Sequence, residues 1–451
     1  MTTSPELCET ESGEDLPGPF EIQSYEDLLQ FPQIPVSTIN TPSGNRDVTV
    51  PLVDAIVVPT FRSAKDLQPA ALLAANARCH LVAIYTDSLP AGLSSALVGL
   101  RPDQITLLTV RSGTHDRLLD LGVCLPQSDV SPAALDISRK RNLGLLVGRA
   151  CGWTRMLFLD DDIRKVNVAK LSSAAALLDD YPVVGFQVNK YPDASVVGHA
   201  RRLTARRQEP FVSGGSLLVN PHLLNGYFAP IYHEDWLCVI NHLRKGKVAI
   251  GGSVGQVPYV PFADPDRAKR EEFGDVLLSG LLWLVHARLK KDTADRVQHM
   301  TDAEYWREAT NPRFWKQILE QRVALLHEIT ARLAGMTLDN LSPLPSLAVA
   351  KQRLGELEPA DFVSFTARWL TSLVVWRSQL DGLSRVDVAN KARAIEKALA
   401  KLGLAHVVRV HDLSSQQAST TETGWKGGFA DRWNRWTGTD NRRRFGAKNE
   451  P

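Results

Sequence analysis

Short apolar runs recur along the first third of the chain, each closed by polar residues and separated from the next by a helical pattern. They are "VDAIVVPT" (53–60), "HLVAIYTD" (80–87), "QITLLTV" (104–110) and "RMLFLDDD" (155–162). Runs this short and continuously apolar read as strands buried on both faces. Between them, "SAKDLQPAALLAANARC" has helical spacing and "SSALVGL" fits a short helix. "SPAALDISRKRNLGLLVGRACG" (131–152) predicts a helix with Ser131 as N-cap and Pro132 in its first turn. Strand–helix–strand at this spacing means right-handed crossovers and a parallel sheet covered on both faces. Ligands of open α/β sheets bind beyond the carboxyl ends of the strands. Thr60, Asp87 and Asp160–Asp162 fall at such ends, so one pocket can collect them.

The pattern then changes. "SSAAALLDDY" predicts a helix, "PVVGFQVNK" a strand, and "EPFVSGGSLLVNPHLL" a strand interrupted at Gly214 and Gly215. "HEDWLCVINHLRKGKVAI" predicts a helix running into another strand. A mixed sheet with an antiparallel edge fits this half. From about Phe262 the chain is helical to roughly Leu413 and carries Trp283, Trp306, Trp315, Trp369 and Trp376. The expected organisation is an acidic extension and linker (1–48), an α/β catalytic unit (49–262), a helical region (263–413) and a basic, Trp-containing tail (414–451).

A net charge of +2 gives no global polyanion-binding signature, so nucleic acid is not an expected partner. Charge is uneven, however: no Lys or Arg precedes Arg46. The five cysteines form no CxxC pair, which suggests reduced thiols in a cytoplasmic setting. No basic-then-apolar leader opens the chain. "VLLSGLLWLVHARL" is too short to span a bilayer and carries His286 and Arg288, so it reads as a buried helix. Trp433 and Trp436 lie among arginines at helical spacing. They suit either peripheral membrane contact or a short helix docked on the body.

Asp160, Asp161 and Asp162 repel one another unless a cation shares the site. An Asp-x-Asp at a strand end can hold a divalent cation, leaving metal positions for phosphate oxygens. The same residues also suit a solvated turn capping the next helix. Thr60 and Arg62, Asp87, and Arg141 with Asn142 add polar groups near the same edge. Each alone has an ordinary explanation as a helix cap, a turn residue or a solvated helix face. Glu234 and Asp235 open a later helix, where the dipole favours carboxylates whatever their role. Gly214 and Gly215 either admit a ligand close to the backbone or mark a β-bulge. Arg201, Arg202, Arg206 and Arg207 form a phosphate-binding face or a solvated one.

The segments "VPTFR", "YTD", "RKRNLG", "LFLDDDI", "FVSGGSLLVN" and "HEDWL", in that order over about residues 50–262, resemble the GT-A glycosyltransferases. The similarity is greatest to the inverting enzymes of family 2. It implies an α/β GT-A (Rossmann-like) mixed sheet flanked by helices, then the helical C-terminal region. It implies a nucleoside-diphosphate-sugar donor, a carbohydrate, lipid-linked or small-molecule acceptor, and Mn²⁺ or Mg²⁺ as cofactor. Thr60, Arg62, Asp87, Arg141, Asn142, Asp160 and Asp161 would frame the nucleotide sugar, and Asp160 and Asp162 would bind the metal. Gly214, Gly215, Glu234 and Trp236 would face the acceptor, with Asp235 as base and Glu234 orienting the acceptor. Apart from the resemblance, an alternative role for His233 is an added metal or diphosphate contact. The chain departs from the family pattern at "TDSLPAG", where an Asp-Gly-Ser-type run is common, and at Arg62, where Asn is common. The implied reaction is a single displacement with inversion. A retaining enzyme would keep the nucleotide site without the base, and a non-catalytic module would keep the scaffold alone. A haloacid-dehalogenase-type phosphatase fits poorly, because its Asp-x-Asp follows the first strand. Nucleotidyltransferases and P-loop enzymes would need glycine-rich loops absent from the sequence. The helical region is expected to close one wall of the acceptor site.

Overall fold

The parallel core follows the sequence pattern. β1 (Ala55–Pro59), β2 (His80–Thr86), β3 (Ile105–Val110) and β4 (Met156–Leu159) alternate with α1 (Ala64–Ala77), α2 (Leu93–Ala96) and α3 (Pro132–Ala150). The Ser131 hydroxyl caps α3 by accepting from Ala134 N at 3.0 Å, with Pro132 in the first turn. After β4 come β5 (Ile163–Arg164), α4 (Val168–Ala176), β6 (Val183–Asn189), α5 (Val196–Leu203), β7 (Ser213–Val219), α6 (Glu234–Leu243) and β8 (Val248–Gln256). The helical region contributes α7 (Asp266–His286), α8 (Asp302–Ala309), α9 (Pro312–Ala334), α10 (Leu344–Gly355), α11 (Pro359–Asp381) and α12 (Lys391–Lys401), then β9 (Val408–His411). The computed structural model describes residues 53–121, 131–189, 195–204, 213–286, 301–335, 342–383 and 391–411. The acidic N-terminal extension, Cys8, Cys124, Arg206, Arg207, Trp433 and Trp436 lie outside them.

These strands form one mixed nine-stranded sheet in the order β5-β8-β6-β7-β4-β1-β2-β3-β9. β3, β2, β1 and β4 are parallel. β7 runs against both β4 and β6, and β8 is parallel to β6. β1, β4 and β8 therefore end on the same edge, which brings Pro59, Leu159 and Gln256 together there. Both sheet margins are antiparallel, as expected for one of them, but β7 is a third reversed strand in the interior. β9 was not anticipated. After β8 the described chain is mainly helical until it returns to the sheet and pairs Val410 with Leu108.

Strand residues alternate between two cores. Ile56 and Val58 face one packed with α1 and α4, and Ala55 and Val57 face the other. The second core is continuous with α3, α6 and the C-terminal helices through Trp315, Trp369 and Trp376. The helical region thus shares the core of the sheet. α3 lies close on the sheet because Gly144 faces the ring of Phe158, where a Cβ would come within 2.8 Å. Among the described residues, no helix is long and apolar enough to cross a membrane. Cys79, Cys151 and Cys238 are buried free thiols.

Trp376 of α11 is fully buried, donates Nε1–H to Gly226 O at 2.9 Å and packs beside Tyr227. Trp376→Ala removes that ring and orphans the carbonyl. It is expected to cost about 3–5 kcal/mol, the range for large-to-small aromatic core changes, as a lowered urea midpoint with unchanged m-value.

Candidate functional site

Beyond the carboxyl ends of β1 and β4 lies a cleft of about 450 Å³. Its lining includes Phe61 and Arg62 from the β1–α1 turn, Asp136 and Lys140 from α3, Asp160–Asp162 after β4, Tyr232 and Glu234 at α6, and Gln256 ending β8. Arg267, Arg270 and Glu271, at the start of α7, line it as well.

The acid cluster is held from two directions. Thr60 Oγ1 donates to Asp161 Oδ2 at 2.5 Å, and the Arg62 guanidinium lies 3.1 Å from Asp161 and 3.2 Å from Asp162. Arg141, buried beneath the floor, donates Nη2–H to both oxygens of Asp160 at 2.9 Å. Its Nη1 donates to Glu234 Oε1. One guanidinium thus joins the end of β4 to the start of α6, two segments separated by over seventy residues. Burial raises the carboxyl of Asp160 to about 6, because Arg141 only partly offsets desolvation and the adjacent Asp162 and Asp161 charges. Burial likewise raises Glu234 to about 7, with Asp235 and Asp160 opposing its ionisation and Arg141 favouring it. Burial also raises Asp161.

Thr60, Arg62, Arg141, Asp160, Asp161, Asp162 and Glu234 are thereby brought together. The remaining candidates make other contacts. Asn142 is buried and satisfies the backbone of Phe228, donating to its carbonyl at 2.9 Å and accepting its N–H at 2.8 Å. Arg141 and Asn142, about 100° apart around α3, thus point to different partners, the acids for one and the Phe228 backbone for the other. Asp87, in the left-handed region at φ 59°, accepts from Ser112 N and Oγ at 2.7 and 2.6 Å. It lines a smaller neighbouring cleft of about 240 Å³ with Arg111, His406 and Arg409.

Asp235 turns behind the cleft. It accepts from Gly214 N at 2.6 Å and from Trp236 N at 2.8 Å. A Cβ on Gly214 would meet its carboxylate at 2.4 Å, so this glycine serves the approach of α6 to β7 rather than an acceptor. Gly215 backs Asp160, with its carbonyl accepting from Asp160 N at 2.8 Å. Trp236 packs against the core. His233, at φ 67°, places Nε2 3.2 Å from Asp275 of α7 instead of joining the acid cluster. Asp275 also accepts from Arg322 of α9 at 2.6 Å and from Ser195 at 2.7 Å, which ties α6 to the C-terminal helices. Of the basic segment, Arg201 is buried in α5, so it is no part of a solvated face.

Sequence reasoning missed Lys140. It is almost fully buried, donating to Thr60 O at 2.8 Å and pairing with Asp136 at 2.5 Å. The signal was present as the i, i+4 pair Asp136–Lys140 on the helix leading to the sheet.

Of the lining side chains, Asp160, Asp162 and Gln256 could offer oxygens to a hard divalent cation. Asp160 and Asp162 supply carboxylate oxygens, and Gln256 donates Nε2–H to Asp162 at 3.4 Å. The Gln256 amide oxygen is buried there without a hydrogen-bond partner in the structure. Among the described residues, no three His, Cys, Asp or Glu side chains converge as a complete metal cage. Two carboxylates and an amide oxygen would leave coordination positions for phosphate.

No protein-family model matches the chain, and no curated protein matches it.

The raised pKa of Glu234 has a signed consequence. The folded state holds this proton more tightly than the unfolded chain. The residue's stability contribution is therefore fullest below about 4.5 and is lost as pH rises through about 7. Glu234→Gln removes that titration, so its stability relative to wild type should rise between pH 5 and pH 8. Urea midpoints of both proteins across that range measure it, and a constant difference would contradict the assignment.

Proposed function

We propose that the chain is a GT-A-type glycosyltransferase that moves a sugar from a nucleoside diphosphate sugar to an acceptor hydroxyl. One observation carries this reading. Asp160–Asp162 and Glu234, far apart in sequence, share one cleft at the carboxyl edge of the sheet and are bridged there by Arg141. Carboxylates suited to a metal–diphosphate unit and a carboxylate suited to proton removal thus face the same space.

On this reading Asp160, Asp162 and Gln256 would hold Mn²⁺ or Mg²⁺. The ion would supply positive charge to the diphosphate as it leaves. Arg62 stands beside Asp161 and Asp162 and reaches the same phosphates. Thr60 and Lys140 brace the turn from beneath, and Asp87 with its neighbouring cleft continues the nucleoside side along the sheet edge. The acceptor oxygen attacks the anomeric carbon in one displacement with inversion, and its proton passes to a carboxylate. The cleft-facing position of Glu234 and its pKa near neutrality support that residue as the base. Asp235, which the sequence resemblance assigned to this role, then acts as a positioning residue that holds the start of α6 against Gly214.

Calorimetry with nucleoside diphosphates is expected to show binding strengthened by Mn²⁺ or Mg²⁺, with most of that enhancement lost in Asp162→Asn. Metal-independent affinity in both proteins would refute the metal assignment.

Glu234→Gln is expected to keep nucleotide-sugar affinity within a few-fold and to lose transfer by roughly 10²–10⁴, the usual worth of a general base. Near-normal transfer in Glu234→Gln together with its loss in Asp235→Asn would move the proton to Asp235. A product that keeps the donor's anomeric configuration would exclude single displacement.

A further inference from the structure

The cleft has a wall that the donor chemistry leaves unused. Past β8 the chain enters α7, whose first turns put Arg267, Arg270 and Glu271 on the lining near Tyr232. Arg267 is held in place on two sides. Its Nε donates to Glu271 Oε1 at 2.5 Å, and its guanidinium carbon lies 4.9 Å from the centroid of the Tyr259 ring. The Tyr259 hydroxyl in turn lies 2.6 Å from His199 Nε2, which fixes the ring. Glu271 also accepts from Val196 N at 2.8 Å, and burial pushes its carboxyl up to about 7. Arg270 pairs with Asp264 at 2.5 Å and keeps 47% of its side chain exposed.

Two guanidinium groups therefore line this wall, Arg267 paired with the buried Glu271 and Arg270 with the exposed Asp264. Removing a proton from a neutral sugar hydroxyl calls for neither arginine. Their planar forks match the paired oxygens of a phosphate or carboxylate.

We propose that Arg267 and Arg270 receive an anionic group, phosphate or carboxylate, carried by the acceptor whose hydroxyl meets Glu234. This rests on the transferase reading of the cleft. It narrows the acceptor to a hydroxyl compound bearing negative charge.

The test uses the full chain and three small probes: glycerol 3-phosphate, glycerate and glycerol. Each is titrated calorimetrically with and without saturating nucleoside diphosphate and Mg²⁺. The two anions are expected to bind and glycerol is not. Arg270→Ala should weaken the anions by about ten-fold or more, the loss expected for a charge-assisted hydrogen bond. It should leave nucleotide affinity within about two-fold. Arg270 sits at the surface, so this variant spares the core. Arg267→Lys keeps the charge but not the fork, and should weaken the anions less.

Sedimentation with phosphatidylglycerol vesicles separates the sources of the anion. Arg270-dependent pelleting assigns it to a lipid headgroup, and soluble-probe binding without pelleting assigns it to a free small molecule. Equal affinity for all three probes, anion affinity unchanged in Arg270→Ala, or a loss of nucleotide affinity instead, overturns the proposal. If nucleoside diphosphates fail to bind while the anions still depend on Arg270, the donor reading falls and the anionic acceptor wall stands.

Discussion

Arg141 is the contact on which the site depends. A buried guanidinium costs several kcal/mol of desolvation unless it is paired with good geometry. Here it spans Asp160 and Glu234, so the end of β4 and the start of α6 are fixed to each other through one side chain. Four carboxylates (Asp160, Asp161, Asp162 and Glu234) lie against Arg62 and Arg141, and burial, with the repulsion of neighbouring carboxylates added to it, raises the pKa values of Asp160 and Glu234. Carboxylates held this close and this deep are costly to ionise together.

Much of this was legible in the sequence because strand ends are legible. The order of apolar runs defines which residues reach the carboxyl edge, and Thr60, Arg62 and Asp160–Asp162 lie there for that reason alone. Side-chain direction on helices was harder to read. "RKRN" places four polar residues in a row, and only the three-dimensional docking of α3 shows which faces go where. Arg141 faces the acids, Lys140 the β1 turn, and Asn142 the backbone of Phe228. Glu234 and Asp235 show the same ambiguity, resolved by the contact of Asp235 with Gly214. Arg267 and Arg270 could not be assigned from local pattern, because they open a helix with no link to the strand register. "VRVH" in β9 is too short to announce a strand without its partner.

The helical region supports the site as well as covering it. Asp275 accepts from Arg322 and Ser195 and meets His233, the residue just before Glu234. The tryptophans of α9 and α11 belong to the same core as Val57 and Phe158. The late helices are therefore linked to the start of α6 by contiguous contacts.

The pairing of β9 with β3 also has a consequence for how the chain is made. β3 is a sheet margin whose unpaired backbone groups are covered by a strand about 300 residues later in the sequence. During synthesis, that margin stays open until nearly all of the described chain has been translated. An unpaired edge is a template for pairing with other chains, and contacts this distant in sequence form late and slowly. The nascent chain therefore exposes β3 as an open edge, and the docking of the last strand moves that edge outward to the four-residue β9.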